Sequence, residues 1–115
     1  MLSFVMTMQI AAAGAAVGCF GAVGIYWAPG EPYKHWIVAA GTLNGILTAL
    51  LMTGFIKGRT SIGTALLAGA LCGLAMAAAV FLAKGGWSSW DAPYVIPTGL
   101  IEGLILGLLV RRLLR

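Results

Sequence analysis

Four long apolar stretches, at about 4–27, 35–56, 61–83 and 93–111, constrain this chain more than any other feature. A helix of about 20 mostly apolar residues crosses the hydrocarbon core of a bilayer. The composition agrees: 61% of the 115 residues are hydrophobic and 9% are charged, where soluble domains carry about 45–50% and about 25%. So little charge cannot wet the protein's own surface. Inside lipid the backbone must also satisfy its own hydrogen bonds, and helices do so segment by segment. The expected fold is therefore all-α, a polytopic membrane protein with four transmembrane helices. The first stretch contains Ala11-Ala12-Ala13, which resembles a small-residue cleavage site, but it lacks a basic start and reads as a retained helix. The spans occupy most of residues 1–115, which read as a single transmembrane domain with short connections and no room for a soluble catalytic domain.

Charge sets the expected orientation. Lys57 and Arg59 lie between spans two and three, and Arg111, Arg112 and Arg115 follow span four. With four spans, those two regions share one side of the membrane. The other side holds Lys34 and Lys84, offset by Glu31 and Asp91. Basic residues concentrate on the cytoplasmic side, so both termini are expected there, in the cytoplasmic or inner membrane if the source is bacterial. This distribution accounts for the net charge of +4 without a nucleic-acid partner.

The chain also reads as two tandem helical hairpins, about 4–56 and about 61–111. WIVAAGTLNGILTALL (36–51) aligns with YVIPTGLIEGLILGLL (94–109), so that Gly41 falls on Gly99, Asn44 on Glu102 and Gly45 on Gly103. GAAVGCF (14–20) aligns with GALCGLA (69–75). Glu31-Pro32-Tyr33 precedes span two much as Asp91-Ala92-Pro93-Tyr94 opens span four, and an acid there suits the positive end of a helix. Hairpins with an even number of spans enter the membrane in the same orientation. Their pseudo-twofold axis is then expected along the membrane normal.

Small residues allow the close backbone approach that holds helices together in lipid. Span one offers Gly14, Gly18 and Gly21, and span three offers Gly69 and Gly73. Gly41 and Gly45, with Asn44 and Thr48, share a side of span two, and Gly99 and Gly103 share one with Glu102 in span four. These smooth faces are expected to meet inside the protein, leaving the bulky faces to lipid or another subunit. Pro97, a few residues inside span four, is expected to kink or loosen that helix.

Glu102 is the one acid inside a span. A central ionised side chain costs about 2.5–3.5 kcal/mol on insertion scales. Protonation, pairing or hydration lowers that cost, and no span holds a central cation to pair with it. Asn44 lies at the equivalent depth of span two with Thr48 one turn away, so a polar clamp among Glu102, Asn44 and Thr48 is one reading. A proton or cation site on a transport path is the other, because intramembrane acids mark such paths.

Trp27, Trp36, Trp87, Trp90 and Tyr94 gather near the non-cytoplasmic surface with His35, the single histidine. An interfacial belt explains such aromatics, and contact with a partner, headgroup or small ligand over the outer loops is the alternative. Cys19 and Cys72 lie within spans as small packing residues, without a Cys-x-x-Cys. Neither a metal site nor another cofactor is expected, and the residues present make a poor set for an enzyme.

The expected function is a small transport or channel-type module, linked to protons or cations through the intramembrane carboxyl. Four helices are few for a private pathway, so a homo-oligomer or a larger membrane complex is expected. The alternative is a non-catalytic accessory subunit packed against larger membrane proteins. Paired hairpins with Gly14, Gly18 and Gly21 in the first helix, and Glu102-Gly103-Leu104 in the fourth, resemble the proteolipid rotor subunits of rotary ATPases. In that family the loop joining each hairpin is polar and cytoplasmic. Here those loops are rich in tryptophan and proline, and the charge bias places them outside, so membership is not inferred.

Overall fold

The computed structural model describes residues 3–23, 34–83 and 91–115; within α-helical segments, the side chains of Lys34, 80–83 and 91–95 lie outside that description. Four helices make up the described fold: α1 (Phe4–Ala22), α2 (Lys34–Met52), α3 (Ile62–Ala83) and α4 (Asp91–Leu113). Three stretches, Phe4–Ala22, His35–Met52 and Ile62–Ala79, are long and apolar enough to cross a membrane. The bundle is 44 Å along its longest axis, close to the ~40–45 Å of a bilayer with its headgroups. Phe4, Phe20, Trp36, Phe55, Leu67 and Ile101 are among many large apolar side chains on its exterior. Soluble monomers rarely expose so much contiguous apolar surface, so the outer face suits lipid.

Helix starts follow from local chemistry. Ser3 caps α1: its Oγ accepts from the Met6 amide at 3.1 Å, which satisfies one of the orphan donors of the first turn. Ser61 does the same for α3, accepting from the Thr64 amide at 3.2 Å. Replacing Ser61 by Ala should lower stability by about 1 kcal/mol. A denaturation midpoint in detergent unchanged from wild type would contradict the capping role.

Span two ends sooner than its hydropathy suggests. The sequence reading carries it to about residue 56, but α2 stops at Met52 and residues 53–55 form turns. There the Thr53 and Gly54 amides bond back to Leu50 and Leu51 at 3.2 and 3.1 Å, the tighter three-residue spacing that closes a helix. Apolar content alone does not register that turn, because Ile56 is still fully buried beyond it. Residues 24–27, the expected end of span one, lie outside the described residues, as does Glu31. In α4 the helix runs unbroken through Pro97. Proline this early in a helix affects only the second turn, where few upstream carbonyls lose a partner.

Helices α1 and α2 pack closely, as do α3 and α4, and between the two pairs α1 and α4 touch more than any other two helices. Within each pair glycine backbones touch. A side chain built at Gly14 would strike the Gly45 carbonyl oxygen, and one at Gly18 would strike that of Gly41. At Gly69 it would strike the Gly103 carbonyl, and at Gly73 that of Gly99. All these residues except Gly41 are buried. A second layer sits toward the α2–α3 connection. Ile10, Ala49, Met52, Ile56, Ala65, Cys72, Leu106 and Val110 form one hydrophobic cluster there, drawn from all four helices and the loop.

Candidate functional site

Glu102 stands eleven residues from each end of α4, at the middle of the helix. Helical side chains lean toward the N-terminus of their helix. Its carboxyl accordingly reaches back, toward the end of the bundle where α1 finishes. It lies directly against Gly21 of α1, at the place a β-carbon would occupy. Gly21 thus acts as a notch: any larger residue would take the carboxyl's position. Around it is a groove of about 450 Å³ lined by α1 residues Ala16, Val17, Phe20 and Gly21 and α4 residues Thr98, Ile101, Glu102 and Ile105. The groove is open on its outer flank, where Phe20 is 84% exposed. Glu102 itself is half-buried.

The grouping read from sequence is not the one the helices assemble. Thr48 is buried, and its hydroxyl donates to the Asn44 carbonyl at 2.6 Å, inside its own helix. Such back-bonding satisfies a threonine in lipid without a second helix. Among the described residues no hydrogen bond joins Glu102 to Asn44 or Thr48. The reason is the packing order: α4 packs more against α1 than against α2, and the Glu102 carboxyl turns to Gly21 of α1.

The expected packing glycines fall where helices meet. Gly14, Gly18, Gly41 and Gly45 lie between α1 and α2, while Gly69, Gly73, Gly99 and Gly103 lie between α3 and α4. Gly21 alone turns to the other pair. Sequence reasoning missed Gly107, buried against the Ala65 backbone and Gly69; its signal was the four-residue spacing from Gly103. It also missed Thr98, one turn before Glu102 in the same groove, and Phe20 on its rim.

Of the outer aromatic group, Trp36 is 75% exposed in the first turn of α2 and His35 beside it is exposed. Trp27, Trp87, Trp90 and the side chain of Tyr94 lie outside the described residues. Cys19 is half-buried and Cys72 buried, both as free thiols.

Fold and site together define a class: an all-helical protein of four helices, at least three of them fit to cross a membrane, with an acid in a groove between its two helix pairs. No protein family, characterised protein or solved structure matches the chain significantly. Its function must therefore be argued from the groove.

Proposed function

We propose that this chain is a small integral membrane transport module, linked to protons or cations through Glu102, and that α4 is its fourth membrane-spanning helix. The observation that carries the reading is the notch. A carboxyl at the middle of an apolar helix lies against a glycine of the other helix pair, in a groove large enough for water. A titratable group held in apolar surroundings, with space beside it, suits proton or cation exchange. The carboxyl leans toward the end of the bundle that carries Trp36, so exchange runs from that side.

The two pairs act as a tandem repeat with its axis along the membrane normal, and both termini face the cytoplasm. Equivalent contacts in the two pairs support the repeat. Ala22 meets Gly41 as Ala77 meets Gly99, each with 2.5 Å between the alanine Cβ and a β-carbon built on the glycine. Under that repeat Met76 stands where Gly21 does and Asn44 where Glu102 does, so each chain keeps one notch and one acid. The open flank of the groove, edged by Phe20, Ile101 and Ile105, is completed by a second copy in a homo-oligomer.

The test is flux. The purified chain reconstituted in liposomes should carry protons or a monovalent cation down an imposed gradient. A hydrophobic carbodiimide, which modifies protonated carboxyls in apolar surroundings, should label Glu102 and stop that flux. Flux that persists after full labelling would overturn the site. The same open flank favours a second reading, an accessory subunit whose groove receives a helix of a larger membrane protein. Absence of flux from the chain alone, with stoichiometric co-purification of another membrane protein, would select that reading.

A further inference from the structure

At the opposite end of the bundle from the notch, the α2–α3 connection and the end of α4 form an open cleft of about 1040 Å³. Lys57, Gly58, Arg59, Thr60, Arg111, Leu114 and Arg115 line it. Four of these seven side chains are cationic and none is acidic. Of the chain's three acids, Glu102 is mid-helix, Asp91 opens α4 at its other end, and Glu31 lies outside the described residues. Helix-end neutralisation alone accounts for cations in the last turn of α4. It does not account for their convergence with the loop.

That convergence is built. Arg111 Nε donates to the Thr60 carbonyl oxygen across the cleft's wall. This uses one of the five guanidinium donors and fixes the plane of the rest. The loop holds its own shape, because the Lys57 amide donates to Thr60 Oγ1 at 2.8 Å and the Thr60 amide to the Lys57 carbonyl at 3.0 Å. Gly58 is pressed against the backbone of Leu114 and Arg115, so the last arginine is brought beside Arg59's loop. A glycine is required at that contact, since a side chain would meet the Arg115 Cα at 3.0 Å.

We infer that this cleft binds a phosphate group, and that the phosphate belongs to an anionic phospholipid headgroup. Arginine matches phosphate oxygens with paired, planar donors. The neighbours decide the source. Phe55, 63% exposed, precedes the cleft, and exposed Ile62 follows it. A free phosphate has no use for these apolar flanks, whereas a phospholipid would lay its acyl chains along them. Basic pockets of this kind at a membrane surface hold lipid headgroups. The inference does not depend on any role of Glu102.

The experiment is lipid binding to the whole 115-residue chain in a neutral detergent, read by native mass spectrometry and by fluorescence titration. Phosphatidylglycerol is the anionic probe, phosphatidylcholine the zwitterionic control, and glycerol phosphate with inorganic phosphate the soluble competitors. Phosphatidylglycerol should bind at least about tenfold more tightly than phosphatidylcholine. Arg59→Gln and Arg115→Gln should each weaken it about tenfold, against less than about threefold for Arg112→Gln. Arg112 is exposed at the same end of α4 but is not part of the cleft, so it makes the same charge change outside the site. An equal loss in Arg112→Gln would reduce the effect to general surface charge and overturn the site. Displacement by glycerol phosphate at concentrations equal to the lipid would overturn the lipid as its occupant.

Discussion

Gly45→Val should unfold the first helix pair. The new β-carbon would enter the Gly14 carbonyl oxygen and stand 2.8 Å from the Gly18 Cα. Both obstacles are backbone, so no rotamer change relieves them. The helices would have to separate, and the Gly14–Gly45 and Gly18–Gly41 contacts would open together. Overpacking a well-fitted interior costs about 1–3 kcal/mol, and sometimes more. Here separation also discards the dispersion contacts that hold helices together in lipid, so a loss of at least about 3 kcal/mol is expected, a large share of a typical 5–15 kcal/mol stability. Denaturant titration in micelles, followed by circular dichroism and by tryptophan fluorescence, measures it. Gly63→Ala is the matched control, because a β-carbon there meets nothing within 4 Å. It should be neutral or stabilise by up to about 1 kcal/mol, since glycine is a poor helix former. If Gly45→Val melted like wild type, α1 and α2 would not pack through this face.

Glu102→Gln should abolish proton or cation flux while leaving the bundle assembled. The amide has nearly the same size and fits the same notch, but it cannot exchange a proton or carry charge. Flux should fall at least about a hundredfold if the carboxyl is the exchanging group of the path, with the unfolding midpoint close to that of wild type. Gly21→Ala makes a second, independent demand on the site. Its β-carbon would displace the carboxyl, yet what it meets is the end of a flexible side chain, with Thr98 Cγ2 next at 3.1 Å. The fold therefore tolerates the change at about 1 kcal/mol, the low end of overpacking costs, while Glu102 is pushed out of its groove. Flux in Gly21→Ala should drop about tenfold or more, a barrier change of roughly 1.4 kcal/mol. Full flux in both variants, in liposomes with matched protein content, would remove Glu102 from any transport role.

The glycine patterns show how far one-dimensional reading reaches. Gly14 and Gly18 share a side of α1 because helical residues four apart are neighbours, and the same rule pairs Gly41 with Gly45, Gly69 with Gly73 and Gly99 with Gly103. Each pair does lie in a helix contact. Gly107 and Ala49 extend the same rows, but in so glycine- and alanine-rich a chain nothing marks where a contact row ends. The end of α2 was also obscured, because hydropathy continues through Ile56 while the backbone turns at Thr53 and Gly54.

Hydropathy and period thus determined, with no structure, that the chain makes long apolar helices, which residues share a face, and that Glu102 is the acid lodged among them. Only the tertiary structure decided that Glu102 sits against Gly21 rather than beside Asn44, and that Arg59, Arg111 and Arg115 converge on one cleft. Helical periodicity is a property of one segment and records a residue's direction about its own axis. Which neighbour stands in that direction depends on how four helices pack at once. That is settled by close backbone contact between residues distant along the chain.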